Sequence, residues 1–514
     1  MTTAAATTRS RARRLDWRTL SGPPTTPRLL LGGVMALYAS FYIVHLTLYH
    51  DRFWTTDYDL GIFDQSAWLL AHGRGFITIR GLSFWGHHVN PAMLVFVPFY
   101  WLGAGPRFLN AAMVVSLTCG AIAVFRITVH YVKSEWIGLA LSIAFLLHTS
   151  SQYVLHETFH PEVLAVAPML FAYLAAVEGR WGAFRNWLVF AVLWKEDIAI
   201  TAAMFGLVLF FRGHRKQGAT AFVLSVAYYF FATRVVLSAF SPGDGAFYSN
   251  FLGDLGNSPQ ALLDTAVTNP TMITRQLDRA NAVGYFRDLA EPYAFLPFLA
   301  PIGILIALPQ TILNLLTIHA YSWSIRWHYA SMPLFGFTVS LAESMRVVRW
   351  IVRRLRQWFI PETLHVVAAA MLVCAMWTSY AWSPSYGAHY QQNWPLFADP
   401  RRVLLNEAIA LVPGGAPTAA SYNLVPHIAH RAQIFTFPNP WMNSYWGLDA
   451  KDANGNPTVL PKPRSPAIIQ WVAVDATVLS PQAKAILSEL RASPQWEVHL
   501  DRADVVVLSR RTLG

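Results

Sequence analysis

Uninterrupted apolar runs dominate the chain. Residues 29–49, 108–130, 137–148, 161–178 and 219–240 hold few acids, and 329–347 and 363–382 repeat the pattern later. The longer runs reach the ~20 residues that a helix needs to cross ~30 Å of hydrocarbon. They predict a polytopic, mainly α membrane protein, with polar stretches 50–90 and 241–292 as outer-face loops. From residue 384 the pattern changes. Short β-like runs (417–422, 432–437, 468–475, 503–508) alternate with helical stretches (401–411, 481–492), as in a small α/β unit. The expected organisation is a basic cytoplasmic segment over 1–28, a transmembrane domain over 29–383 and an extracytoplasmic α/β domain over 384–514, serving as cap or scaffold.

Composition strengthens this picture. At 54% hydrophobic and 13% charged, the 514 residues hold about half the charge of an ordinary soluble protein. The net charge of +11 raises the question of nucleic acid, and the placement of the arginines answers it. Arg9, Arg11, Arg13, Arg14, Arg18 and Arg28 precede the first apolar run; Arg346, Arg349, Arg353, Arg354 and Arg356 follow a later one. They read as cytoplasmic flanks touching anionic lipid under the positive-inside rule, so the partner is the bilayer and no nucleic acid is expected. Both cysteines lie in apolar runs, which leaves no disulfide framework or thiol–metal cluster.

With the N-terminus inside, 91–105 is expected to return inward to Arg107 and 108–130 to go out again. The count does not close, because Arg180–Arg185 and Arg212–Lys216 both look cytoplasmic with one apolar stretch between them. A break in that stretch reconciles them. Lys195, Glu196 and Asp197 mark the place, because charge and irregular backbone at membrane depth are tolerated only beside a protein interior or a watery cavity.

Other polar groups punctuate the outer side. Asp57, Asp59 and Asp64 open what reads as an amphipathic surface helix ended by Gly73; Asp59 is either its N-cap or a general base at a cavity mouth, with Asp57 as alternate. His87 and His88 sit where the chain re-enters the membrane; either one of them meets a phosphate or sugar hydroxyl, or both are interfacial histidines solvated by headgroups. His156, Glu157 and His160 superficially resemble a helical zinc pair. Pro161 argues against it: it disfavours helix at His160 and suits the first residue of a helix carrying Glu162. Arg326, His328 and Tyr329 form either a clamp for a lipid-linked phosphate or part of an interfacial aromatic belt.

Tyr58 to Gln65 with Trp68 and His72-Gly73, then His88 to Pro91, Phe159-His160-Pro161, Lys195-Glu196-Asp197, His328-Tyr329, Pro413 to Ala416, Pro426-His427 and His430-Arg431 occur in this order. Together they resemble the DUF2079 family of bacterial membrane proteins over roughly residues 30–510. That family is similar to the GT-C glycosyltransferases, multi-span enzymes that take sugars from polyprenyl-phosphate donors. The resemblance implies a GT-C-like bundle and an inverting transfer to a glycan, lipid or protein acceptor on the outer face of the bacterial cytoplasmic membrane. It implies Asp59, or Asp57, as base or metal ligand, and donor contacts from His88, His160, Glu162, Lys195, Glu196, Asp197, Arg326, His328 and Tyr329. A divalent cation is compatible with that chemistry and no other cofactor is indicated; His87 stands where many relatives carry aspartate, which leaves the metal open. The rival reading is a transporter or flippase, since charges within a membrane also mark transport pathways.

Overall fold

A computed structural model describes residues 25–241, 247–256, 259–389, 391, 399–443, 445 and 464–511. The basic segment through Arg18 lies outside the described residues. Four helices are long and apolar enough to span a membrane: α1 (Thr26–Asp51), α3 (Pro106–Val132), α9 (Arg215–Phe240) and α12 (Thr363–Trp382). A bent pair, α4 (Glu135–Leu147) and α5 (Thr149–His156), passes the same test as one span broken by 44°. Between these lie α2 (Ile62–Ala71), α6 (Pro161–Val177), α7 (Trp181–Val192), α8 (Ile198–Phe211), α10 (Ile302–Leu316) and α11 (Ser331–Arg354). The protein is a multi-pass, mainly helical membrane protein.

Ion pairs fix which helix ends lie together. At one end Arg28 on α1 pairs with Glu135 on α4, and Arg126 on α3 reaches Glu178 just past α6, 3.0 Å away. At the other end Arg107, opening α3, donates to Asp51, closing α1, at 2.9 Å. Residues 91–105 therefore do not cross; α3 itself is the return stroke of α1, and the short helical turns Pro91–Phe96 and Val97–Trp101 stay at the Arg107 end. Hydropathy misled here because an apolar segment packed at one end of a bundle looks like a short span.

The stretch 181–211 is broken, as Lys195–Asp197 suggested. Helices α7 and α8, each about 20 Å long, are joined by non-helical residues at 193–197, and both outer ends return to the Glu178 side. That closes the count. Gly206 of α8 and Gly218 of α9 let the two backbones touch: a Cβ on Gly206 would lie 2.4 Å from the Phe222 nitrogen. The expected polar loop 241–292 is instead partly helical, with Pro259–Thr268, Pro270–Arg279 and Ala282–Ala290 among the described residues.

The C-terminal part holds α13 (Pro400–Ala410), α14 (Pro481–Ala492) and five strands: β3 (Thr418–Ala420), β4 (Ile434–Thr436), β5 (Trp471–Asp475), β6 (Trp496–Arg502) and β7 (Val505–Arg510). Strands β1 (Phe76–Ile77) and β2 (Leu82–Ser83) form a separate small hairpin. The five-stranded order is β4-β3-β5-β7-β6, parallel across the first three and antiparallel after. Side chains alternate across a strand, and this alternation sends Val472, Val474, Val506 and Leu508 to a core shared with Leu487 of α14. Their neighbours Ala473, Val505 and Val507 join the core of the helical bundle. The sheet is thus wedged between its own helix and the Arg107 end of the membrane part.

Candidate functional site

Beneath the C-terminal sheet, five chain segments bring ionisable side chains together. Helix α5 ends at His156, and the residues that follow turn inward through Thr158, whose φ of 79° is unfavourable for a β-branched side chain. His160 is extended (φ −139°, ψ 131°) and Pro161 opens α6 as its first residue. This turn points Glu157 and His160 into the bundle. The first loop delivers Asp59 in a left-handed conformation (φ 61°, ψ −87°), strain of the kind that collects at functional sites. Gly61, not Asp59, occupies the N-cap of α2, so Asp59 is free of the capping role.

The contacts run in an unbroken series. Asp59 Oδ2 lies 3.2 Å from His160 Nε2, and Glu157 Oε1 lies 3.6 Å from the same nitrogen. His328 Nδ1 donates to Glu157 Oε1 at 2.7 Å, its backbone N–H donates to Glu157 Oε2, and its Nε2 is 3.4 Å from Glu162. Lys195 Nζ donates to Glu162 at 2.6 Å, stands 3.6 Å from Asp197 and sits over the Tyr329 ring at 5.8 Å. Glu196, next along the chain, is held by His88 Nδ1 at 2.8 Å and by the Val89 N–H at 2.9 Å. Asp59, His88 and Asp197 form the rim, with side chains 31%, 16% and 27% exposed, whereas Glu157, His160, Glu162 and Lys195 are buried. The geometry therefore gathers Asp59, His88, His160, Glu162, Lys195, Glu196, Asp197, His328 and Tyr329 into one chamber.

Two expected members lie elsewhere. Asp57 turns to the C-terminal sheet, accepting from the Thr436 hydroxyl while its backbone N–H donates to Tyr422 O at 2.9 Å. Burial raises its pKa to about 6 against the lowering effect of that hydroxyl. Arg326 is exposed, with its guanidinium over the Tyr153 ring at 5.4 Å. The His156–His160 pair does not exist as a metal grip, because His156 Nδ1 faces His45 Nε2 at 3.0 Å. Glu157, by contrast, belongs to the chamber although helical spacing gives it no role there. The bend after α5, not helical spacing, puts it there. The first helix of the outer loop was also expected at the membrane surface. Instead α2 is largely buried, its Asp64 accepting from Tyr100 at 2.7 Å and from His430 at 3.1 Å.

Electrostatics at the mouth favour charge on both partners. Burial alone would raise the Asp59 pKa, but His160 beside it holds the carboxyl below its usual range. Burial alone would lower that of His160, but Glu157 and Asp59 raise it to about 10. His87 is kept well below the ordinary histidine value by burial and by His88, and it faces Phe63 rather than the acids. Next to the chamber, starting two residues after Asp197, an apolar groove of about 230 Å³ runs between α8, α9 and α10, lined by Ile200, Met204, Phe222, Tyr229, Phe230 and Pro309.

Glu157, His160 and His328 place potential metal-ligand atoms within 4.8 Å of one another. The chemistry such a set can perform is proton transfer at Asp59, anion placement near Lys195, or divalent-cation binding at the Glu157–His160 step.

A family model described as "Predicted membrane protein (DUF2079)" matches residues 49–507. Among solved structures, the chain is similar to ArnT from Cupriavidus metallidurans bound to undecaprenyl phosphate, with 13% identity, a TM-score of 0.47 and coverage of 94% of this chain and 97% of that one. The apo state of the same protein gives a TM-score of 0.44 with the same identity and coverage. No curated protein matches the sequence.

Proposed function

The chain belongs to the DUF2079 membrane-protein family, and from that premise and the shape of the chamber we propose that it is a membrane glycosyltransferase. It takes a sugar from a polyprenyl-phosphate donor and passes it, with inversion, to a glycan, lipid or protein acceptor. The orientation that goes with this reading puts the N-terminus in the cytoplasm and the C-terminal sheet outside the bacterial cytoplasmic membrane, as a cap over the chamber.

One observation carries the reading: a cluster of charged side chains lies beside an apolar groove lined by spanning and half-spanning helices. A ligand that fills both has an ionic head and a hydrocarbon tail, which describes a lipid-linked phosphate better than a free solute. In the transfer, the acceptor oxygen attacks the anomeric carbon and its proton passes to Asp59. The bond from that carbon to the phosphate oxygen breaks, and the electron pair leaves with polyprenyl phosphate. The leaving group is already a stable anion, so no general acid is needed; Lys195, over Tyr329 and beside Asp197, is the cation we assign to meet it. Glu162, His328, His88 and Glu196 hold the charged residues in register.

The test is transfer of sugar from synthetic polyprenyl-phosphate donors by the purified protein in lipid vesicles. Asp59→Asn is expected to lower the rate by about 10²–10⁴-fold, the usual contribution of a positioned base, with donor binding retained. Undiminished transfer in that variant overturns the role of Asp59, and donor binding unchanged by bulky substitution of Met204 overturns the groove.

A further inference from the structure

Helix α9 carries a cation that no acid of the protein meets. Arg234 is exposed, and among the described residues it makes no hydrogen bond or ion pair. Its surface neighbours Phe230, Phe231 and Val235 are half-exposed, the character of a face turned to lipid. An arginine on such a face is costly, and where one is kept a partner for it is the first thing to seek. Arg107, the other arginine inside a spanning helix at this end of the bundle, has its partner in Asp51. Arg234 has none.

The winding of α9 sets where Arg234 sits. Residues Phe231–Leu237 form a π-helical turn, in which residues five apart come into line where an α-helix aligns those four apart. Arg234, five residues past Tyr229, is thereby carried to the face that Tyr229 and Phe230 give to the apolar groove. Tyr229 accordingly stands within electrostatic reach of both Arg234 and Asp197. Turns of this kind collect at functional sites. Depth follows from the glycine contact: α8 and α9 run antiparallel with Gly206 against Gly218 and Phe222, so Asp197 comes level with Tyr229 and Arg234 lies about 7 Å further out. The groove thus runs outward from the glycine contact to a guanidinium, with the charged cluster beside its outer end.

A phosphate at that end needs more than Lys195. The ammonium already meets Glu162 at 2.6 Å and Asp197 at 3.6 Å, and one cation shared by two acids is a weak counter-charge for a third anion. We propose that Arg234 is the phosphate contact of a polyprenyl phosphate that enters the groove from the bilayer. The guanidinium gives paired donors to the phosphate oxygens at the lipid-facing rim, and the hydrocarbon lies against Tyr229, Phe230 and Met204. A groove of about 230 Å³, closed inward where the two backbones touch, takes one hydrocarbon chain and not the pair of a phospholipid. That the lipid carries a sugar rests on the glycosyl-transfer reading; that a lipid phosphate binds does not.

The experiment measures lipid binding by the purified full chain in nanodiscs of zwitterionic phosphatidylcholine, with no sugar present. Polyprenyl phosphate, the matching polyprenol and phosphatidylglycerol are the probes, and retained lipid is read by native mass spectrometry. Wild type is expected to prefer polyprenyl phosphate to both others by at least about tenfold. Arg234→Gln should weaken polyprenyl phosphate binding about 10–100-fold, the range for one lost bond to a charged group, and leave polyprenol binding unchanged. Arg234→Lys should regain part of the loss. Arg215→Gln, at the other end of the same helix, should bind like wild type. Wild-type affinity in Arg234→Gln, an equal loss for polyprenol, a loss as large in Arg215→Gln, or phosphatidylglycerol binding as tightly as polyprenyl phosphate each overturns the proposal. A chain that binds the lipid through Arg234 but transfers no sugar leaves this site standing and removes the function; full transfer by Arg234→Gln at low donor concentration does the reverse.

Discussion

Two buried carboxylate clusters sit at opposite ends of the bundle, and they are built differently. At the arginine end Glu343 of α11, fully buried, accepts from Tyr131 at 2.8 Å, from Tyr173, from Arg212 at 2.9 Å and from Arg346 at 2.8 Å. One carboxylate thus meets two guanidiniums and two phenols contributed by α3, α6, α11 and the end of α8. Both of its oxygens are satisfied. In the chamber at the other end Lys195 meets two of five carboxylates, the other three face histidines, and Asp197 Oδ1 is buried without a hydrogen bond. A complete polar network rigidifies, whereas an incomplete one at the same depth is an energetic cost that folding alone does not require.

The sharpest way to break this contrast is to neutralise one acid at each end. Glu343→Gln removes the charge that two part-exposed guanidiniums meet at a fully buried carboxylate and is expected to cost about 1.5–3 kcal/mol, read as a fall in thermal stability in detergent. A variant as stable as wild type would remove this cluster's structural role. Thr436→Val comes next: losing the bond to Asp57 should cost about 0.5–1.5 kcal/mol and loosen the outer loop, seen as faster hydrogen exchange around Asp59. Asp197→Asn should change stability in the opposite direction from Glu343→Gln, by about 0.5–2 kcal/mol, because it removes surplus negative charge from a site kept for function. A loss as large as that of Glu343→Gln would make the two clusters alike.

The smallest effect concerns the seam between sheet and bundle. Burial lowers the His430 pKa but Asp64 outweighs it, so the folded value stands above 6.5. A group raised on folding contributes fully below its unfolded value and loses that contribution as pH rises through its folded value. The stability difference between wild type and His430→Phe should therefore be greatest below pH 6.5 and shrink as pH climbs, measured by thermal unfolding across pH.

Much of the fold was legible because burial in lipid and burial in protein make the same demand on composition. The run 363–382 became α12 residue for residue, and the β-like runs near 417, 432, 468 and 503 became strands. Strand β6 lies outside the expected β-like runs, although Trp496, Val498 and Leu500 alternate with Glu497, His499 and Asp501 in a period-two pattern. For the chamber, Lys195–Asp197 announced itself as charge inside an apolar run. Glu157 did not, because its role depends on a positive-φ turn at Thr158 that no local pattern encodes. Arg326 is the converse case: its sequence context suits a phosphate clamp or an interfacial belt, and the structure places its guanidinium over Tyr153 while the neighbouring His328 points inward.

The contact of Asp57 with Thr436 spans 379 positions of the chain. A ribosome delivers the loop bearing Asp59 long before the strand that steadies it, so the earlier product is a bundle whose key carboxylate has no fixed place. Order in this loop is then a late event in biogenesis, set by arrival of the last segment and not by insertion of the spans.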